Sequence, residues 1–364
     1  MRYDLLTRYI PRLVIVFIIL FSGGTNIVYA QKPLYKADTL TINVFGDVMM
    51  HAAQIEAAPK GYSRYFKYLE DEIKESDLSI ANMEFTLAGE PYSGYPCFSA
   101  PDDFAEYLAG CGFDIFLCAN NHIYDKGSEG AQRTLDIYKD LSRRYGIRFT
   151  GLAENPEDRE AGTPLTLVRK GMRISLLNMT YGTNLGATQH WPKVLYQSEK
   201  KAIAAAMEKA ENESDICLVF PHWGEEYELI HSEKQETTAE WLIDAGADII
   251  LGSHPHVAQD LGLIDGVQVA YSLGNLVSNM SAANTQLGLM ATIRIVRQNN
   301  GDVTILPIEI THLWCSRPGG LTDSYTVVPI EKFLDKRHLW NNTWDYDKMA
   351  TTYERVRKTH NNEH

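Results

Sequence analysis

The sequence predicts an α/β fold, largely parallel in its first half and mixed in its second. Three observations predict it. Short apolar runs alternate with amphipathic runs over residues 40–150, the pattern of repeated βαβ units. From Pro164 onward the runs include a hairpin, so strand directions mix. Several apolar runs end in a turn rich in Asp, Glu, Asn or His, and open α/β sheets place their chemistry at the carboxyl ends of strands.

The elements follow in order. Residues 40–45 alternate apolar and polar, as a strand should, and end at Gly46-Asp47-Val48-Met49-Met50-His51. Tyr62, Tyr65, Phe66, Leu69 and Ile73 recur at helical spacing and predict a helix from Tyr62. Residues 78–81 form a strand ending at Asn82-Met83-Glu84. Residues 101–110 form a helix with Pro101 at its start, and 114–118 the next strand. Residues 128–145 form a helix with Ser128 as its N-cap. Residues 164–168 and 172–179 are strands joined by a turn at Arg169-Lys170-Gly171, followed by an irregular loop over 180–196. A helix at 198–213, a strand at 215–220, a helix at 236–245 and a strand at 248–251 come next. Residues 267–271, 287–296 and 303–310 read as antiparallel strands. Residues 40–315 form one domain, and the weaker patterning of 316–364 predicts a peripheral extension.

Arg2, Arg8 and Arg12 flank an apolar run at residues 13–21, and Val28-Tyr29-Ala30 supplies small residues before Gln31. This is the layout of a secretory signal peptide over residues 1–30, cleaved after Ala30, with 31–39 as a polar lead. As a helix the apolar run is only about 14 Å long, about half a hydrocarbon core. The chain is therefore expected to be secreted across the inner membrane, to the periplasm or cell surface. Its formal charge is −13; losing residues 1–30 removes three Arg and one Asp, which makes it −15. Nucleic-acid binders carry a basic footprint, so nucleic acid is excluded as a partner. The cysteines, Cys97, Cys111, Cys118, Cys217 and Cys315, are odd in number and form no CxxC pair. They specify neither a disulfide framework nor a thiolate zinc site.

The strand-end turns carry the chemistry. Asp47, Glu84, Asn121 with His122, His222, and His254 with His256 each follow an apolar run. Carboxylates, imidazoles and an amide oxygen form a mixed N/O donor set, suited to one or two divalent ions of Mn, Zn or Fe. His254-Pro255-His256 is an HxH pair, and period-two alternation at a strand end would point both rings to one side. Asn121 could ligate metal while His122 donates a proton, with Asp125 orienting the imidazole. Glu225 could reach a metal, a cationic substrate group or a general-base position; Glu226 reads as a solvated turn residue. Trp223 is either a substrate platform or core, and Asn275 either reaches into the site or closes a plain turn.

Taken in order, these turns resemble the CapA family of bacterial capsule-synthesis proteins, linked to poly-γ-glutamate. The resemblance rests on Gly46-Asp47-Val48-Met49-Met50, Ala81-Asn82-Met83-Glu84 and Ala119-Asn120-Asn121-His122 with Asp125 and Gly127. It continues through His222-Trp223-Gly224-Glu225-Glu226-Tyr227, Gly252-Ser253-His254-Pro255-His256-Val257 with Gln259, and Tyr271-Ser272-Leu273-Gly274-Asn275. That family is similar to the calcineurin-like metallophosphoesterases. The resemblance implies a four-layer α/β/β/α sandwich with mixed sheets and a two-metal site at strand ends. It implies Asp47, Glu84, Asn121, His222, His254 and His256 as ligands, Glu84 as the bridging carboxylate and His122 as proton donor. It implies a hydrolase cleaving a phosphoester or amide-type bond, acting on a cell-surface polymer or its precursor beside membrane-bound polymer synthase components. The chain departs from the wider superfamily at Met49, where histidine is usual, and at Glu84, where aspartate is usual. His51 is the nearest replacement for the missing nitrogen. The Met49 departure also favours a second reading, a polymer-binding assembly or export partner with no catalysis.

Overall fold

The structure, a computed structural model, describes residues 37–186 and 188–361. The signal peptide expected at 1–30 and residues 31–36 of the lead lie outside the described residues. The chain runs β1 (Asp38–Val48), α1 (Ala52–Ala57), α2 (Glu70–Lys74), β2 (Leu78–Met83), α3 (Asp102–Cys111), β3 (Ile115–Leu117), α4 (Gly127–Tyr145) and β4 (Arg148–Thr150). It continues through β5 (Leu152–Ala153), α5 (Pro156–Gly162), β6 (Leu165–Arg169), β7 (Met172–Thr180), β8 (Lys193–Val194), α6 (Lys200–Glu213), β9 (Ile216–His222) and α7 (Glu233–Asp244). The last elements are β10 (Ile249–Leu251), β11 (Leu261–Ile264), β12 (Val267–Ala270), β13 (Asn275–Val277), β14 (Leu287–Arg297), β15 (Val303–Ile305), β16 (Glu309–Ser316), β17 (Thr326–Pro329) and α8 (Thr343–Asn361).

Two mixed sheets face each other. The first runs β17-β16-β14-β1-β2-β3-β4, with β13 paired to β1 and β15 to β14; the second runs β11-β12-β10-β9-β7-β6. Within them β1, β2, β3 and β4 are parallel, as are β7, β9, β10 and β12. Side-chain alternation sorts the strands into layers. Leu40, Ile42 and Val44 of β1 pack between the sheets against Ile174 and Leu176 of β7 and Leu218 and Phe220 of β9. Phe45 and Phe116 turn to the opposite face, under Phe104 and Leu108 of α3 and Leu135 and Tyr138 of α4. Cys217 and Val219 of β9 face Ile203 and Met207 of α6 and Leu242 and Ile243 of α7. The result is the expected four-layer α/β/β/α sandwich. Burying both faces of each sheet is what parallel strands require.

Local details differ from expectation. The helical spacing from Tyr62 is not one helix: residues 62–69 are successive turns, closed by Tyr65 N–H to Tyr62 O and Leu69 N–H to Phe66 O, and α2 begins only at Glu70. The three-residue spacing serves tight turns as well as a helix. Ser128 lies inside α4, whose N-cap is Lys126, and its hydroxyl meets Thr188 Oγ1 at 2.9 Å. Residues 303–310 split between β15 and the start of β16. Strand β12, expected to be antiparallel, pairs parallel with β10 and antiparallel with β11.

The tail is not peripheral. Strand β17 extends the first sheet, and Trp340, Met349, Tyr353 and Val356 are buried in the inter-sheet core. Asp345 anchors it: its Oδ2 accepts from Ser316 Oγ at 2.6 Å, Trp340 Nε1 at 3.2 Å and Trp314 Nε1 at 3.4 Å. Among the described residues the cysteines are free thiols, and no helix is long and apolar enough to cross a membrane.

Candidate metal centre

The carboxyl ends of β1, β2 and β3 and those of β9 and β10 open toward one another, so both sheets contribute to one buried cluster. In the β1 register, Asp47 lies between Asn82 of β2 and Asn275 of β13. This close approach needs glycine: a Cβ on Gly46 would stand 1.9 Å from the carbonyl oxygen of Gly274. Asp47 is fully buried; its Oδ1 accepts from Asn82 Nδ2 at 2.7 Å, and its Oδ2 lies 3.3 Å from Nδ1 of His256.

Glu84, just past β2, sits at the middle. Its Oε1 lies 3.6 Å from Nε2 of His222, 3.7 Å from Nε2 of His256 and 3.9 Å from Nε2 of His122. Nε2 of His222 is also 2.7 Å from Oδ1 of Asn121, and its Nδ1 is 2.9 Å from Ser253 Oγ. Glu84, His254 and His256, and separately Asp47, Glu84 and His222, bring ligand atoms within 4.8 Å of one another. The structure thus brings Asp47, Glu84, Asn121, His222, His254 and His256 together.

His254 and His256 lie beyond the end of β10, with φ of +101° and +59°. The HxH pair therefore shares a side through two left-handed residues, not through strand pleating as the spacing implied. Such backbone is costly outside glycine and concentrates at functional sites. Asn275, read from the sequence as either reaching into the site or closing a turn, stands behind His256: its Oδ1 is 3.0 Å from His256 Nδ1, and its amide donates to Thr285 O at 3.0 Å.

The electrostatics fit a cation. Burial, and then the charges of Asp47 and Glu226, hold the Glu84 carboxyl well above its ordinary pKa. Burial and neighbouring histidines push His222 well below the ordinary imidazole value, and His254 down to about 3. Both carboxylate oxygens of Glu84 and Nδ1 of His254 are buried without a hydrogen-bond partner. Unpartnered buried polar atoms are expensive. Neutral imidazoles around carboxylates are the protonation state that divalent ions bind, so the donor set fits such an ion.

His122 stands beside this cluster. Its Nδ1 lies 2.7 Å from Oδ2 of Asp125, which also accepts the N–H of Phe98 at 2.8 Å. The Phe98 ring meets the imidazole edge-on at 4.7 Å. Met49 is buried in apolar core. His51, the nearest substitute, is spent elsewhere: its Nδ1 takes the N–H of Asn279 at 3.2 Å and faces Gln54 at 3.2 Å. Trp223 is core, 2% exposed, with Nε1 donating to Tyr271 O at 2.8 Å. Glu225 and Glu226 are exposed and line a cavity next to His254.

The sequence reading did not single out four contributors. Asn82 ties Asp47 to His222, whose Nδ1 is 3.4 Å from its amide nitrogen. Asn120 donates to Met83 O at 2.8 Å and accepts the His122 N–H at 3.1 Å, which shapes the turn. Asn184 reaches in from the 180–196 loop: its Oδ1 accepts from Asn121 Nδ2 and its amide nitrogen lies 3.3 Å from His122 Nδ1. Tyr181 lays its ring 4.6 Å from that of His254.

A sequence model described as "Bacterial capsule synthesis protein PGA_cap" matches residues 41–280. The chain belongs to this bacterial capsule synthesis protein family. Relatives of this chain include the "Capsule biosynthesis protein CapA" of Bacillus anthracis, 28% identical over 285 residues, which are 75% of this chain and 68% of that one. They also include the "PGA biosynthesis protein CapA" of Bacillus subtilis (strain 168), 26% identical over 314 residues, 81% of this chain and 79% of that one. Among solved structures, a candidate 5'-nucleotidase from Staphylococcus aureus, in complex with alpha-ketoglutarate, matches with a TM-score of 0.50 at 14% identity. The match covers 75% of this chain and 54% of that one, so this chain spans about half of that protein's length. This likeness is one of fold alone.

Proposed function

We propose that this protein is a metal-dependent hydrolase of cell-surface polymer synthesis. It is exported by its N-terminal signal and works in the periplasm or at the cell surface with membrane-bound polymer synthase components. Its substrate is a poly-γ-glutamate-like polymer or a precursor, cut at a phosphoester or amide-type bond. The names of the Bacillus relatives support the polymer assignment. One observation carries the chemistry: the fully buried Glu84 carboxylate, without a hydrogen-bond partner, among the imidazoles of His122, His222 and His256.

Asp47, Glu84, Asn121, His222, His254 and His256 would hold one or two ions of Mn, Zn or Fe. When bound, a divalent ion would supply Lewis-acid charge that activates water and polarises the phosphoryl or carbonyl group under attack. The remaining work falls to this chain's own side chains. Asp125 fixes the His122 ring through Nδ1, which leaves Nε2 on the Glu84 side. From there Nε2 delivers a proton to the leaving group. Tyr181 covers His254 from outside. Metal analysis of purified protein, with turnover measured against a panel of phosphoesters and γ-glutamyl amides with and without chelator, tests the reading. Full turnover in a metal-free His254→Ala/His256→Ala variant contradicts it.

Met49 supports a second reading. It fills apolar core where the superfamily carries a ligand histidine. A site short of one nitrogen ligand suits a polymer-binding assembly or export partner. Salt-sensitive binding of poly-γ-glutamate with no product formed favours that reading; any hydrolysed product removes it.

A further inference from the structure

The donors of the centre come from two sheets, and one pair spans them: Oδ1 of Asn121, beyond β3, and Nε2 of His222, on β9, lie 2.7 Å apart. Asn178 of β7, a side chain only 3% exposed, is tied to both of the chains that bring these atoms together. Its Oδ1 accepts the N–H of Ala119 at 2.7 Å and that of Cys118, which Thr150 O shares, at 3.0 Å. Its Nδ2 donates to Phe220 O at 2.9 Å. Ala119 stands two residues before Asn121, and Phe220 two residues before His222. The amide thus leaves the second sheet and ends among backbone groups of the first. Room for it is kept at Gly151, just past β4, where φ is +97° and a Cβ would stand 2.1 Å from Asn178 Oδ1. The chain beyond β7 grips the same two donor residues again through its backbone, Tyr181 N–H to His222 O and Asn184 N–H to Asn121 O, both at 2.9 Å. Leu177 and Met179, on either side of Asn178, pack as apolar core, so burial alone does not call for an amide between them.

We infer that Asn178 is a positioning residue of the metal centre: it locks the turn that carries Asn121 and His122 to the strand that carries His222, so that donors from the two sheets meet. One amide both accepts from the first backbone and donates to the second, which no apolar side chain can do. Removing it strands the buried Ala119 N–H and frees the turn to shift against β9. Groups that hold a ligand in place are typically worth about 10- to 100-fold in metal affinity. The inference rests on the proposed reading that this cluster holds a divalent ion, but half of its test is made without metal.

The test compares the full chain as wild type, Asn178→Ala, Asn178→Asp and, as a control for lost stability alone, Asp345→Ala in the tail anchor. First, proton exchange is followed by NMR in chelator-treated samples with isotope-labelled histidine rings. Asn121 Oδ1 only accepts, so Nε2 of His222 carries the proton between them, and His222→Gln identifies its signal. That proton is expected to exchange at least about tenfold faster in Asn178→Ala than in wild type, and at the wild-type rate in Asp345→Ala. Asn178→Asp keeps the acceptor and loses the donor to Phe220, so it should move the rate the same way by less. A wild-type rate in Asn178→Ala overturns the inference, as does an equal acceleration in Asp345→Ala. If Asn178→Ala does not fold, a wild-type rate in Asn178→Asp overturns it; if neither folds, Asn178 serves the fold rather than the site and the inference falls. Second, Mn, Zn or Fe is returned to the same samples. Affinity is expected to fall about 10- to 100-fold in Asn178→Ala and to stay unchanged in Asp345→Ala. Wild type that takes up no ion, beside faster exchange in Asn178→Ala, removes the hydrolase reading and leaves this inference standing; unchanged affinity in Asn178→Ala, beside metal-loaded wild type, does the reverse.

Discussion

Nδ1 of His122 lies 2.7 Å from Oδ2 of Asp125, and both side chains are buried. Asp125 is therefore not a solvated turn residue. It aims the imidazole and holds the Phe98 backbone with the same oxygen. Replacing Asp125 with Asn keeps the shape and removes the charge. Turnover is expected to fall about 10- to 100-fold, with metal content unchanged. Paired elemental analysis and steady-state kinetics check this.

Asn121 and His122 are neighbours with separable jobs. Oδ1 of Asn121 meets Nε2 of His222, whereas His122 engages Asp125 and Asn184. Asn121→Ala should lose metal and activity together. His122→Ala should keep metal and lose about 10²- to 10⁴-fold in turnover, the usual range for a proton donor. If both variants keep full metal and full turnover, the turn is only structural.

The C-terminal helix is expected to belong to the cooperative fold. Asp345→Ala would strand three buried donors, from Ser316, Trp314 and Trp340. The expected loss is about 2–4 kcal/mol, read as a lower urea midpoint at unchanged slope. A loss below about 0.5 kcal/mol would make the helix an appendage after all.

The alternation of strands and helices and the six strand-end donors were legible because each rests on a local signal, an apolar run followed by a polar turn; the four layers were implied only by the family resemblance. What was not legible depends on register or on turns that imitate helices. Asn82 reads as one polar residue in a buried strand until β1 and β2 align it with Asp47. Asn184 lies in an irregular loop, and nothing in its neighbours announces a contact with His122. The left-handed φ of His254 and His256 carries only a weak composition signal, since neither is glycine and histidine, though enriched there, takes positive φ in only a small share of cases. The buried residues Met349, Tyr353 and Val356 of α8 do stand at helical spacing. Charges around them hid that stripe.

The most direct measurement is the divalent-ion content and metal-dependent melting temperature of wild-type protein beside Glu84→Gln. Gln keeps the volume of Glu84 and removes its charge from the buried centre. Wild type is predicted to carry about one to two Mn, Zn or Fe ions per chain. A chelator should lower its melting temperature, since an ion at a hundredfold its Kd stabilises by about 2.7 kcal/mol. Glu84→Gln should lose most of the metal and show no chelator effect. Wild-type protein that carries no ion and melts at the same temperature with Mn, Zn, Fe or chelator would contradict the account.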